Sequence, residues 1–307
     1  MRPKDRARAD SIERALKHFD ETRQRLPGVD DAIRRSVLIE QMIESIHRVE
    51  YVAAILARNI SEKRGDPNSE IFDPLRAAIL HRNRGNRDEA FWLTFLFIHF
   101  GKSSRCGWKL ISAIYGRLGA GQLWDWNAVS NNPEQFRDWL RQNEKELKEL
   151  QCGFGNHRKR ESLSADSKQG TGVAIQSYVE WVGPPRTHDD KIAEALDQSA
   201  GDSRKAFDFL YKSMSAVRRF GRLAKFDYLA MTAKLGLAPI SPGIPYLEGA
   251  SGPLEGARLL FGGKHDAATL DAYVADLGSE LHLGMQVMED SLCNWQKSPD
   301  RFKSFRG

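Results

Sequence analysis

Apolar and polar positions along this chain alternate with the period of a helix almost throughout. Leu38, Met42, Ile46, Val49 and Ala53 recur at three or four residues and build one apolar stripe, while Glu40, Glu44, Arg48 and Arg58 fall elsewhere on the wheel. The spacing predicts helices over 10–24, 29–58, 74–82 and 88–100. The last is strongly apolar from Phe91, is capped by Asp88 and is stopped by Gly101. Another runs from Cys106 to Leu118, and an amphipathic one over 134–150 turns Phe136, Trp139, Leu140 and Leu147 inward.

Residues 151–173 are rich in Gly, Ser and basic side chains and read as a linker. The stretch Tyr178 to Val182 is short enough for helix or strand. Beyond Gly183-Pro184-Pro185, helices are expected near 187–198, 202–217, 222–235, 254–262, 266–277 and 280–297, with a Pro/Gly-rich stretch from Pro239 to Pro253 among them. There is no internal repeat and no alternating strand pattern. The expectation is an all-α protein of two lobes, one over 1–150 and one over 174–307, joined by the linker 151–173.

Composition changes this picture little. The 307 residues are 41% hydrophobic and 28% charged, an ordinary globular balance. The longest apolar run, Phe91 to Phe100, is interrupted by Thr94 and His99 and falls short of the roughly 20 residues that cross a bilayer. The charged N-terminal stretch has no signal-peptide apolar core, so a cytoplasmic protein is expected. The cysteines, Cys106, Cys152 and Cys293, form no CxxC pair and are expected as buried free thiols; zinc ribbons and four-cysteine clusters are excluded on ligand count. No Walker loop, dinucleotide glycine fingerprint, HExxH or GxSxG is present, so no cofactor and no metal is expected.

Charge distribution carries more. The net charge is +5, and basic residues concentrate at 154–160 and 218–225. In Arg218-Arg219-Phe220-Gly221-Arg222-Leu223-Ala224-Lys225, a turn glycine stands between two helical runs among four cations. Free N–H groups and the positive end of the following helix suit a phosphate there, which makes nucleic acid the leading partner. An ordinary helix end with a C-cap glycine is the alternative. A second glycine-rich turn, Leu247 to Ala257, carries Glu248 and Glu255 and is expected to be a packed turn.

Three further segments bear chemistry. His99-Phe100-Gly101-Lys102 closes the apolar helix; Lys102 can reach a phosphate or base, and nearby Trp108 can stack on an extruded base. Asn156-His157-Arg158-Lys159-Arg160 follows a Gly-flanked Phe, and its Asn and Arg can read base edges in a two-pronged way, unless it is a solvated linker. Glu289 and Asp290 are adjacent carboxylates on a predicted helix, about 100° apart around its axis, so only one faces a cleft. Such a carboxylate can activate water or stabilise an oxocarbenium ion; the alternative is a solvated acidic face.

Taken in order, Phe97-Ile98-His99-Phe100-Gly101-Lys102, Gly155-Asn156-His157-Arg158-Lys159, Arg219-Phe220-Gly221-Arg222, Gly252-Pro253 with Gly256 and Phe261-Gly262, and Glu289-Asp290-Ser291-Leu292-Cys293-Asn294-Trp295 resemble the alpha-glutamyl/putrescinyl thymine pyrophosphorylase family, its third clade. The resemblance spans roughly residues 40 to 300. That family is similar to DNA glycosylases of the helix-hairpin-helix class, and a related bacterial anti-phage enzyme removes glucosylated hydroxymethylcytosine from viral DNA. The resemblance therefore implies a two-lobed helix-hairpin-helix fold with a basic cleft. It also implies base flipping and hydrolysis of the N-glycosidic bond of a hypermodified base in phage DNA, leaving an abasic site.

On this reading Arg218, Arg219, Gly221, Arg222, Lys225, Arg158 and Lys159 bind DNA, and His99, Phe100, Trp108, Asn156 and His157 line the base pocket. Glycosylases of this class carry their catalytic Asp at a set distance past the hairpin. Counting from Gly221 leads to Ile240-Ser241, where no acid stands, and counting from Gly252 leads to Asp271. The acid is therefore open among Asp271, Glu289 and Asp290. Lys102 or Lys159 would add strand nicking through a Schiff base, which ranks below simple hydrolysis. A pyrophosphorylase of thymine hypermodification and a non-catalytic DNA-binding module are the alternatives.

Overall fold

A computed structural model describes residues 3–305, the side chain of Asn156 excepted. The described residues form fourteen α-helices and no strand, with isolated bridges pairing Ser103 with Gly107 and Ser162 with Gly170. In chain order the helices are α1 (Pro3–Thr22), α2 (Ala32–Leu56), α3 (Pro74–Asn83), α4 (Arg87–Phe100), α5 (Lys109–Tyr115), α6 (Trp126–Asn131) and α7 (Pro133–Glu149). They continue with α8 (Thr171–Val182), α9 (His188–Gln198), α10 (Ser203–Ser213), α11 (Arg222–Lys234), α12 (Gly252–Phe261), α13 (Ala267–Glu280) and α14 (Met285–Trp295).

The chain divides into two compact units, but not at the expected linker. One unit joins the residues up to Ala54 with those from Pro242 onward; the other is Ile55–Ser241. Segment 151–173 is built into the second unit. Its backbone holds α8, with Thr171 N donating to Ser162 O at 2.8 Å and Gly172 N to Ser164 O at 3.2 Å. Arg137 on α7 donates to Ala165 O and pairs with Asp166. Gly and Ser there serve close packing rather than a flexible tether. Helix α8 therefore starts at Thr171, well before the short stretch legible from Tyr178.

The first unit packs α1, α2, α12, α13 and α14 around Leu38, Met42, Leu260, Leu270, Val274, Leu277, Met288, Leu292 and Trp295. Helices α12 and α14 approach closely because Gly256 presents no side chain: an ideal Cβ there would lie 2.3 Å from Leu292 O. The turn before α12 is tied down by Asp271, whose carboxylate accepts from Leu247 N at 3.0 Å.

The second unit is organised around α4. Phe91, Trp92, Leu93, Phe95 and Leu96 are each exposed by 1% or less, and α3, α5, α6, α9 and α11 pack on the helix. A helix apolar on every face has to be enveloped. Its polar residues are satisfied inside. Glu89 accepts from Tyr115 Oη at 2.7 Å and Trp126 N at 2.7 Å. Asp88 bonds His188 Nδ1 at 2.6 Å, His188 Nε2 bonds Tyr178 Oη at 2.6 Å, and Tyr178 Oη bonds Tyr228 Oη at 2.7 Å. With the carboxylate fixing the Nδ1–H tautomer, each hydroxyl in this chain donates towards His188.

The expectation of free thiols at Cys106 and Cys152 is corrected: they form a disulfide with Cα atoms 5.7 Å apart. Their separation of 46 residues spans α5, α6 and α7, so spacing carried no sign of the pairing. Cys293 takes no part in it.

Replacing Gly256 by Ala is expected to lower the stability of the first unit by about 3 kcal/mol, because the new methyl meets backbone that cannot yield cheaply. Gly153→Ala, with nothing near its Cβ, should be close to neutral. Urea unfolding midpoints of the two variants check the difference.

Candidate functional site

Three of the segments that carry chemistry meet at the C-terminal end of α4. Gly101 ends the helix in a left-handed conformation, φ +63°. Gly155 lies directly on it: a Cβ at Gly155 would stand 2.7 Å from the Gly101 carbonyl carbon and 2.8 Å from Lys102 N. Gly155 N donates to Phe100 O at 2.7 Å, and Arg158 Nε donates to Ile98 O at 2.9 Å. Both bonds satisfy carbonyls that a helix end leaves open. Phe154 stacks on Phe100 with ring centroids 5.3 Å apart.

The turn leading into α11 joins the same framework. Arg219 grips Glu161 through Nε at 2.7 Å and Nη2 at 3.1 Å, and donates to Arg160 O. Arg219 has φ +68°, the left-handed backbone that glycine adopts most easily, whereas Gly221 has φ −70°. Phe220 stacks under the site on Phe95 at 4.8 Å. Arg158 Nη2 lies 3.7 Å from Asp227 Oδ2 on α11.

His99 is enclosed by this arrangement. It bonds Thr171 Oγ1 at 3.1 Å, and Thr171 Oγ1 donates to Ser162 O at 2.7 Å. Because the threonine proton is committed, His99 donates from Nε2. Burial, then the charges of Arg158 and Arg219, push its pKa down to about 3, so it is neutral at physiological pH. Burial also lowers Arg158, against the opposing pull of Asp227 and Glu161.

The expected DNA-binding residues thus part into two groups. Arg158 and Arg219 turn inward and hold the framework, while Lys159 and Arg218 are exposed and Arg222 and Lys225 are half-buried on α11. Lys225 lies over the Tyr211 ring at 4.2 Å and donates to Ser215, and burial lowers its pKa. The expected base-pocket residues part likewise. His99 and Phe100 are buried in packing, which leaves no ring face for a base, whereas Trp108 is half-buried beside Phe97 with Lys102 Nζ 5.8 Å above it. His157 is exposed, and the Asn156 side chain lies outside the described residues.

The three expected carboxylates belong to the first unit. Asp271 is buried and capped by Leu247 N. Glu289 is buried on α14. Asp290 pairs with Arg48, accepts from Ser45 Oγ at 2.6 Å and from Asn294 Nδ2 at 3.0 Å, and keeps about a third of its side chain exposed. Sequence reasoning passed over Glu161 and Thr171, because their partners lie 58 and 72 residues away and no local spacing reports them. Among the described residues no cluster of three or more His, Cys, Asp or Glu is arranged to hold a metal, and no helix is long and apolar enough to cross a membrane.

The chain matches a family model over residues 33–307, described as alpha-glutamyl/putrescinyl thymine pyrophosphorylase clade 3. The chain belongs to that family. Comparison with curated proteins and with solved structures gives no match. For this thymine pyrophosphorylase clade 3 member, the meeting of residues 97–102, 155–159 and 219–222 places distant parts of the matched region side by side.

Two outcomes follow from this geometry. Replacing Arg219 breaks the Glu161 pair in either case, but Gly relaxes the left-handed backbone that Ala keeps; Arg219→Gly should be more stable than Arg219→Ala by about 1 kcal/mol in denaturant titration.

The second concerns pH. Burial raises Glu89 from 4.5 to about 7, so its protonation stabilises the fold below 4.5, and that contribution is lost as pH rises through 7. His99, lowered to about 3, acts in the opposite sense: its contribution is present above 6.5 and is lost as pH falls. Glu89→Gln removes the offset. Between pH 4.5 and 6.5 the stability of the variant should fall on acidification about 1.4 kcal/mol per pH unit more steeply than the parent. Urea unfolding across that range reads the slopes.

Proposed function

We propose that this protein is an enzyme acting on a hypermodified base in DNA, and that its reaction is base excision. The observation that carries the proposal is the framework at the end of α4, with Lys102, Lys159, Arg160 and Arg218 left on its outer side. Beside them α11 begins at an exposed Gly221 with Arg222 and no acidic residue in its first turn, which suits a DNA phosphate. Family membership supports the substrate class, since the family name concerns modified thymine.

In this reading the modified nucleotide is flipped out, which removes the stacking that hides C1′. Asp290 is the preferred carboxylate, being more exposed than Asp271 and Glu289. Water attacks C1′ as the C1′–N bond breaks. The carboxylate stabilises the cationic sugar and accepts the proton of the water, and the base leaves with the bonding pair and takes up a proton. An abasic site remains.

A second reading is favoured by the family name. A nucleophile, an amine or water, would form a bond to the substituent carbon of a pyrophosphorylated thymine that stays in the DNA as the C–O bond to pyrophosphate breaks, with the exposed His157, Lys159 and Arg160 holding the leaving pyrophosphate. The products separate the two readings. Unmodified, hydroxymethylated, glucosylated and pyrophosphorylated DNAs are incubated with the protein, and released bases, abasic sites and pyrophosphate are measured. Excision predicts free modified base with alkali-labile sites; the second reading predicts pyrophosphate with the base retained. Arg222→Ala should weaken DNA binding about tenfold at low salt and lower the salt slope by about one. Asp290→Asn should bind as the parent does and release no base. Full base release by Asp290→Asn would reject its catalytic role, and binding without any product would leave a DNA-binding module.

A further inference from the structure

We propose that Cys106 and Cys152 form a redox-modification site, a thiol–disulfide clasp that low-molecular-weight dithiols open and disulfides close, and whose state decides how firmly segment 154–161 is held on the end of α4. The pair brackets the contact on which that segment rests. Cys106 lies in the small loop closed by Ser103 and Gly107, immediately after Gly101 and Lys102, and Cys152 stands three residues before Gly155. Next to the cysteines the two segments are joined by Arg105 Nη2 to Gln151 Oε1 at 3.0 Å, and farther along by Gly155 N to Phe100 O at 2.7 Å and Arg158 Nε to Ile98 O at 2.9 Å. The chain between the cysteines runs through the packed helices α5, α6 and α7, so in the folded protein the clasp ties segment 154–161 covalently to a fixed part of the unit.

The two sulfurs differ in access. Cys106 is half-exposed and Cys152 is buried at 8% exposure, so a reagent thiolate reaches the Cys106 sulfur. Attack there forms a mixed disulfide at Cys106 and expels Cys152 as a thiolate, which takes a proton. The second thiol of the reagent then displaces Cys106. Two electrons and two protons pass from the dithiol to the protein, and the reagent becomes a disulfide. Closure by glutathione disulfide balances likewise: the Cys106 thiolate attacks it and releases one glutathione thiol, and the Cys152 thiol then displaces the second from the mixed disulfide, so two electrons and two protons leave with the two glutathiones. The segment released includes Lys159 and Arg160, both exposed, and the seat of Arg158 under α4.

The clasp can be tested without any enzymatic assay; only its influence on DNA rests on the function proposed above. Intact protein is equilibrated in glutathione buffers, quenched in denaturant with iodoacetamide and weighed. The oxidised form should carry one adduct, at Cys293, and the reduced form three, for the three cysteines of the chain. Native tryptic cleavage after Lys159 and Arg160 should then run about tenfold faster in the reduced parent than in the oxidised one, with Cys106→Ser and Cys152→Ser each matching the reduced rate. Three adducts under oxidising buffer, or equal cleavage in the two states, overturns the proposal. DNA binding measured on the same two forms keeps the failures apart: no binding in either state defeats the proposed function and leaves the clasp standing, whereas a cleavage difference with equal DNA affinity confines the clasp to holding the segment.

Discussion

The end of α4 is buried, and a buried helix end has to find donors for its open carbonyls. Gly101 N bonds Phe97 O, Arg158 Nε bonds Ile98 O and Gly155 N bonds Phe100 O. Only a chain without a side chain at 155 can come close enough for the last of these. Once residues 154–161 are drawn in, Phe154 covers Phe100 and Glu161 faces Arg219. The turn before α11 is then fixed, left-handed at Arg219, and α11 begins beside the basic segment. Removing the backbone contact at Gly155 would release each later step in that series.

The same arrangement divides the charges. Arg158 and Arg219 serve as internal struts, their guanidinium forks matched to a carbonyl and a carboxylate in the way a lysine does not match. Their presence, with burial, keeps His99 neutral, so that it acts as a hydrogen-bond donor to Thr171 rather than as a cation. The remaining cations, Lys102, Lys159, Arg160 and Arg218, stay in solvent. At the other end of α4, Glu89 is held near neutrality by burial while it anchors Trp126. One helix thus carries buried titratable groups of opposite response at its two ends.

The first unit has a different logic. Its helices approach through glycine on α12, and its acidic residues are mostly committed: Asp271 to the Leu247 amide, Asp290 to Arg48, Ser45 and Asn294. The Asp290 carboxylate so surrounded is held in one orientation while part of it faces water. Arg48 also donates to Phe305 O, so the end of the chain lies against the same cluster.

The sequence by itself determined the helical class, the burial of α4 and the family, because helical period, capping residues and unbroken apolar runs are local properties and the family match is read along the chain. It also marked the basic turn at 218–225. Tertiary structure alone decided the rest. Segment 151–173 looked like a linker because Gly and Ser are read locally as flexible, yet close approach requires those same small residues. The unit boundary fell at 54 and 242 because compactness depends on contacts between the two ends of the chain, which no local window contains. The inward turn of Arg158 and Arg219, the Cys106–Cys152 bond and the burial of His99 all depend on partners 46 to 72 residues away, and only folding brings such partners within bonding distance.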